Sequence, residues 1–267
     1  MRVLNAKFDV GRLLDTVRSA RFRVLFCDYD GTLAPLVTER VQVQPYDGVG
    51  PILRDLARAP GQRLVFVTGR PAEGLREILG LDPPPAIWGS YGMEELSPDG
   101  RRRTAPVDAE ARHILDREAT AVERLVGEPH VERKPFGVAV HVRGLDPEET
   151  ASALHVVRGR WRPISGTRGM LLRPFDGGLE LCAGRRTKGD AVSASLRGLD
   201  GLVATAYLGD DVTDEDGFRA IRGRGASVLV RDELRPTAAD LWLRPPTELV
   251  EFLTSWRDAA VQARTPV

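Results

Sequence analysis

Two aspartates one residue apart, Asp28 and Asp30 in the stretch Phe26-Cys27-Asp28-Tyr29-Asp30-Gly31-Thr32-Leu33, follow the apolar run Val24-Leu25-Phe26. A carboxylate pair at this spacing has uses that one acid lacks. The first can attack an electrophile, the second can handle a proton, and together they can hold a hard cation through oxygen. The same Asp-x-Asp-Gly pattern also serves turns and calcium loops, because Asp and Gly are turn formers. An EF-hand loop would continue with further acids to a bidentate Glu, whereas Leu33-Ala34-Pro35-Leu36 follows here. A metal-binding turn and a nucleophile with its acid/base partner both stay open at this point.

Three later stretches carry complementary chemistry. Leu64-Val65-Phe66-Val67 runs into Thr68-Gly69-Arg70, and Pro71-Ala72-Glu73-Gly74 then reads as a first helical turn. A hydroxyl and free amides at a helix start form an anion site suited to phosphate, although Thr68 also has the local option of capping that helix. Thr187-Lys188-Gly189-Asp190 opens another helix, with Thr187 as its N-cap. A lysine there opposes the helix dipole, a placement that makes sense beside an anion. The apolar run Leu202 to Leu208 ends in Gly209-Asp210-Asp211-Val212-Thr213-Asp214-Glu215. These carboxylates would repel one another; a divalent cation with several oxygen ligands removes the conflict, and Mg2+ suits a partly hydrated site facing phosphate.

The elements that must position these groups follow from hydrophobic periodicity. Val10, Leu13, Leu14 and Val17 predict a leading helix over 10–20, and Val49, Ile52, Leu53, Leu56 and Ala57 predict an amphipathic helix between the first two strands. Strand, helix and strand imply a right-handed parallel crossover, which places Asp28 and Thr68 on one rim at the carboxyl ends of the strands. Ala86-Ile87-Trp88 is a short strand, and Gly89-Ser90-Tyr91-Gly92-Met93-Glu94 a tight turn after it. Ala226 to Val230 and Leu241 to Leu243 are closing strands, and Leu249, Val250 and Phe252 lie on a terminal helix.

Between these parts the pattern changes. Asp99-Gly100 reads as a hairpin turn, Arg101 to Arg103 as a solvated basic stretch and residues 109–126 as a helix. Over 136–143 the chain alternates, with Phe136, Val138, Val140 and Val142 on one face and Gly137, Ala139, His141 and Arg143 on the other. Glu132 and Lys134 share a face, opposite His141 under unbroken alternation unless Pro135 marks a bulge or break. A helix over 147–158 and strands near 170–173 and 178–182 complete the unit. The expected architecture is α/β: a doubly wound, Rossmann-like parallel-sheet core (1–96 and 179–267) with an inserted smaller α/β cap domain (97–178).

Lys plus Arg and Asp plus Glu both number 38, so no global field recruits nucleic acid or an anionic membrane. Two cysteines, Cys27 and Cys182, make no disulfide framework, and no run reaches signal-peptide or membrane-spanning character. We therefore expect a cytoplasmic monomer acting on a small molecule.

The acidic pair, Thr-Gly, Lys-Gly at a helix start and Gly-Asp-Asp-x-x-Asp, in that order, resemble the haloacid dehalogenase-like phosphatase superfamily. A closer resemblance is to trehalose-6-phosphate phosphatases, carried by Gly89, Gly92 and Glu94, Glu132 and Lys134, His141 and Arg143, and Glu180. It implies that Asp28 attacks phosphorus, Asp30 serves as acid and base, and Thr68 and Lys188 hold phosphoryl oxygens. Mg2+ would be bound by Asp28, the Asp30 carbonyl and Asp210, with Asp211 and Asp214 orienting Lys188 or metal-bound water. Gly69, Arg70, Tyr91, Glu94, Glu132, Lys134, His141, Arg143 and Glu180 would contact the sugar phosphate, a mobile cap supplying the sugar contacts. Tyr91 stands where the family usually has histidine, and Cys182-Ala183 where it has a basic residue and proline. Other substrates, such as a pseudodisaccharide, sucrose-type or glycosylglycerate phosphate, and a non-catalytic sugar-phosphate sensor, are the competing expectations.

Overall fold

The structure, a computed structural model, describes residues 1–37 and 43–262. The chain begins with β1 (Arg2–Val3), α1 (Val10–Ser19), β2 (Phe22–Cys27), α2 (Val49–Arg58), β3 (Gln62–Val67), α3 (Ala72–Leu79), β4 (Ala86–Gly89), β5 (Glu94–Leu96) and β6 (Arg102–Thr104). It continues through α4 (Ala109–Val126), β7 (Val131–Lys134), β8 (Gly137–His141), α5 (Pro147–Trp161), β9 (Met170–Phe175) and β10 (Gly178–Ala183). The last stretch forms α6 (Lys188–Leu196), β11 (Val203–Gly209), α7 (Glu215–Ile221), β12 (Ala226–Val230), β13 (Leu241–Leu243) and α8 (Thr247–Val261). Among the described residues no helix is long and apolar enough to cross a membrane.

Two units result, one of residues 1–103 with 187–267 and one of 104–186. In the first, nine strands form one sheet in the order β1-β13-β12-β11-β2-β3-β4-β5-β6. From β13 to β4 neighbours pair in parallel, while β1 and β5 join antiparallel. Helices cover both faces, so the central strands are apolar on both. Leu25, Cys27, Leu64 and Phe66 pack into one core with Leu53, Leu56 and Trp256, whereas Val24, Phe26, Val65 and Val67 pack into another with Val192, Tyr207 and Phe218. That period-two split decides the site: Asp28 continues the face of Val24 and Phe26, the face on which α6 lies.

The second unit is a four-stranded antiparallel sheet, β7-β8-β10-β9. One face is closed by α4 and α5, with Leu115, Val122, Val138, Val140, Trp161, Leu179 and Leu181 in its core. Buried Glu118 on α4 is held by Arg160 of α5 at 2.6 Å, tying the two helices. The division between units falls later at both ends than the expected 97–178. β6 still extends the edge of the large sheet, and β10 is hydrogen-bonded on both sides inside the small one. Glu180 therefore belongs to the inserted unit.

Candidate active site

β2 and β11 are adjacent and parallel, with Phe26 opposite Tyr207 and Cys27 opposite Leu208, so Asp28 and Asp210 leave the sheet side by side. On the same side α6 begins. Thr187 caps it through a reciprocal capping box with Asp190, which fixes where the next residue, Lys188, starts the first turn. The Lys188 ammonium lies 2.7 Å from Asp28 Oδ2 and 2.7 Å from Asp214 Oδ1. The anion expected beside this helix start is thus the protein's own pair of carboxylates.

Asp214 is used on every side. Its Oδ1 accepts from Lys188 and from the Tyr207 hydroxyl at 2.7 Å, and its Oδ2 accepts from the amides of Asp210 and Asp211. Its task is to aim Lys188 and brace the loop. Asp28, Asp210 and Asp214, all buried, bring carboxylate oxygens within 4.8 Å of one another. Burial, with Asp214 and Asp30 adding to it against the pull of Lys188, pushes the Asp28 carboxyl up to about 8. Asp210 is also driven well up, by burial and by Asp214, Asp28 and Asp211. Burial alone would lower Lys188, but Asp214 and Asp28 overcome it and hold the ammonium charged. Once ionised, three buried carboxylates would outnumber the one cation they face, and hard oxygen donors of this kind suit a divalent cation.

The turn after β2 presses against this cluster. Gly31 has φ +81°, and a Cβ on it would stand 2.2 Å from Asp210 Oδ2, so only glycine lets the loop lie this close. Thr32, fully buried, donates to Asp210 Oδ1 at 3.0 Å. Asp30 points elsewhere. Its two carboxylate oxygens receive the Arg70 fork at 2.6 Å each, a bidentate pair. Asp211 likewise turns aside, accepting from the Val212 amide at 2.6 Å as a local cap. Of the five acids expected around a metal, the side chains of three converge and those of Asp30 and Asp211 do not.

Thr68 follows β3, buried, its hydroxyl accepting from the Arg70 amide at 3.1 Å. Gly69 is fixed by its neighbour: a Cβ there would meet the Tyr91 ring at 2.9 Å. Ser90 and Tyr91 both adopt positive φ, 49° and 58°, a costly pair for non-glycine residues that brings Tyr91 back to bond the Thr68 carbonyl through its amide. Glu94, expected to touch substrate, is instead fully buried, accepting from Ser90 Oγ and Arg102 at 2.7 Å each. It braces the turn that carries Tyr91.

In the second unit, Pro135 and Phe136 form the bend of a hairpin, so alternation restarts between β7 and β8. Glu132 opposes Ala139 across the hairpin, and its Oε2 lies 2.9 Å from His141 Nε2. Lys134 donates to Glu180 at 2.8 Å, and burial, which would lower its ammonium, is outweighed by Glu180 and Glu132, which raise it. These four residues share the face of the sheet opposite α4 and α5. Arg143 lies beyond the end of β8, tied to the Asp176 carbonyl at 2.9 Å. Arg173, opposite Glu180 on β9, and Phe175, whose ring is 5.1 Å from His141, join that face as well.

The Trehalose-phosphatase family model matches residues 26–240, spanning every strand end described above. The chain belongs to the trehalose-phosphatase family. It is 32% identical over 252 residues to a trehalose-phosphate phosphatase of Mycobacterium avium, covering 88% of this chain and 62% of that protein. It is 30% identical to a probable trehalose-phosphate phosphatase of Oryza sativa, over 86% of this chain and 64% of the relative. The chain thus spans less than two thirds of the length of these curated relatives. Among solved structures, the C-terminal domain of Candida albicans trehalose-6-phosphate phosphatase superposes with a TM-score of 0.80 at 19% identity, covering 97% of this chain and 99% of that one. A Bacillus subtilis haloacid dehalogenase-like hydrolase gives 0.60 at 15%, covering 86% and 98%, a likeness of fold.

Two of the three residues read as departures, Tyr91 and Cys182, are built into the architecture. Tyr91 fills the space that Gly69 leaves, and Cys182 is buried on β10 opposite Gly137, its thiol raised well above the usual range by burial and by Glu180. Thr32, Tyr207, Arg173 and Phe175 are the neighbours that sequence reasoning left without a role. Tyr207 carried a signal, a phenol two residues before the Gly-Asp-Asp run on the Phe26 face. Arg173 and Phe175 carried only their alternation.

Proposed function

We propose that this chain is a magnesium-dependent phosphatase that hydrolyses trehalose 6-phosphate to trehalose and phosphate through an aspartyl-phosphate. The reading is carried by Lys188, held 2.7 Å from both Asp28 and Asp214 beside Asp210. Asp28 attacks phosphorus, and the phosphorus–oxygen bond to the sugar breaks as Asp30 passes a proton to the departing oxygen. For this the Arg70 fork must release one Asp30 oxygen. Asp30 then takes a proton from the water that attacks phosphorus, the bond to Asp28 breaks, and phosphate leaves. Lys188 and the Thr68 hydroxyl hold phosphoryl oxygens as charge develops on them.

Asp28 and Asp210 would hold Mg2+, while Asp214 is kept for Lys188. The chemistry supplied by the bound ion is neutralisation of carboxylate and phosphoryl charge. Metal-free Asp28 carries a proton below about pH 8, and Mg2+ must displace it. Calorimetry at pH 7 is accordingly expected to record proton release on Mg2+ binding. The Mg2+ Kd should fall by roughly tenfold per pH unit, or more, from pH 6 towards 8, because protons on the raised Asp28 and Asp210 carboxyls compete with the cation. A Kd independent of pH across that window would show Asp28 already ionised without the metal.

Glu132, Lys134, His141 and Glu180 are assigned to the sugar hydroxyls, since donors and acceptors of both signs stand over the small residues Gly137 and Ala139. Released phosphate measured across a panel of sugar phosphates tests the substrate. Trehalose 6-phosphate is expected to exceed glucose 6-phosphate in kcat/KM by on the order of 100-fold. A flat profile removes trehalose 6-phosphate as the substrate, and binding with Mg2+ but no release makes the chain a sensor.

A further inference from the structure

Behind the acidic cluster stands a second network that the phosphatase reading does not use. Asp210 and Asp211 follow the last residue of β11, and their carbonyls leave the sheet without strand partners. Arg235 takes both: its Nε donates to the Asp210 carbonyl at 3.1 Å and its Nη2 to the Asp211 carbonyl at 2.7 Å. Arg231, just after β12, adds a second donor to the Asp210 carbonyl at 3.3 Å. The remaining edge of the Arg235 guanidinium meets Glu215 Oε1 at 2.5 Å. Glu215 in turn is fixed from behind, accepting from the Thr237 hydroxyl and the Ala238 amide at 2.8 Å each. Arg235 and Glu215 are both mostly buried, with side chains 15% and 14% exposed.

We infer that Arg235, anchored by Glu215, is a positioning residue for the divalent-cation site. It acts by clamping the Asp210 and Asp211 carbonyls so that the Asp210 carboxylate is held toward Asp28. A planar fork can span two successive carbonyls and a carboxylate at once, which a point charge on a flexible stem cannot. With the backbone pinned on one side by Arg235 and the carboxylate pinned on the other by Thr32, Asp210 has little freedom before the cation arrives. Glu215, which follows the Gly-Asp-Asp-x-x-Asp run, thereby acquires a role that is not ligation.

Charge and geometry predict opposite results, which makes the inference testable. A guanidinium beside a cation site repels the cation, so by charge alone Arg235→Ala would tighten Mg2+ binding. By the clamp it loosens it. Groups that orient metal ligands typically change affinity by 10- to 100-fold when removed. The expected result, from calorimetric titration of the whole chain with MgCl2 and no substrate, is a Kd raised about 10- to 100-fold in both Arg235→Ala and Arg235→Lys. The lysine variant keeps the charge and loses the fork. Phosphate release at saturating Mg2+ is expected to return to within a few-fold of wild type, while half-saturating Mg2+ stays displaced; melting in EDTA and far-UV circular dichroism separate this from general loosening. An unchanged or lower Kd in Arg235→Ala overturns the clamp, as does a wild-type Kd in Arg235→Lys. If Arg235→Ala does not fold, Thr237→Val decides, a several-fold higher Kd supporting the clamp and a wild-type Kd overturning it. The inference rests on the cation reading proposed above. Wild-type protein that binds no Mg2+ overturns both, whereas wild-type binding retained in the arginine variants overturns the clamp alone.

Discussion

Asp28→Asn is expected to lower phosphate release by on the order of 10^4- to 10^6-fold, the scale seen when an attacking group is removed from a site whose members act as a unit. The asparagine keeps the shape of the side chain, and its carbonyl oxygen can still accept from the Tyr29 amide, which now donates to Asp28 Oδ1 at 2.7 Å. What it lacks is an electron-rich oxygen able to form and then release a bond to phosphorus. The fold should survive. Asp28 sits at the end of a strand buried on both faces, and removing its charge relieves repulsion from Asp214 and Asp30 while costing one of the two carboxylates that hold Lys188. Steady-state phosphate release and thermal melting on the same preparation check the pair of expectations. A folded Asp28→Asn protein that still releases phosphate at the wild-type rate would remove Asp28 as the nucleophile.

Strand ends were readable from sequence because each is an apolar run broken by an acid, a hydroxyl or a glycine. Asp28, Thr68 and Asp210 all follow the last residues of adjacent or near-adjacent parallel strands, and burial on both faces makes those runs long and unambiguous. The side of the sheet was also implicit in period two: Asp28 inherits the Phe26 face, and α6 lies there. What sequence could not supply was side-chain direction after the strand stops. Asp30 and Asp211 lie in the same acidic stretches as the clustering acids, yet one turns to Arg70 and the other to its own following amide. Glu94 fits a substrate motif and points inward to Ser90. Unbroken alternation would set the Glu132 and His141 faces apart unless Pro135 marked a break, and it is there that the chain reverses. The Arg235 clamp joins residues 24 and 25 positions apart through backbone carbonyls, acceptors every residue carries and no composition marks.

Lys188→Met is expected to separate the two duties of the lysine. The methionine fills nearly the same buried volume without charge, so the space at the start of α6 stays packed while Asp28 and Asp214 lose their common partner. Removing one member of a buried ion pair costs about 3–5 kcal/mol, because the other charge is left uncompensated. In EDTA the loss should grow as pH rises through about 8, where Asp28 ionises beside Lys188 in the wild type, and be smaller near pH 6, where Asp28 carries a proton with or without the lysine. Asp214 keeps the Tyr207 hydroxyl and two amides, which limits the damage at the lower pH. Saturating Mg2+ should restore part of the stability at pH 8, since the dication offsets Asp28, one of the two carboxylates that lose the lysine. It should not restore turnover: a donor aimed at developing phosphoryl charge is missing, a loss on the order of 10^2- to 10^3-fold in kcat. Melting with and without Mg2+ at both pH values, alongside kcat at saturating Mg2+, distinguishes the duties. Recovery of turnover together with stability would mean that Lys188 serves only to neutralise Asp28 and Asp214 and does not act on the phosphoryl group.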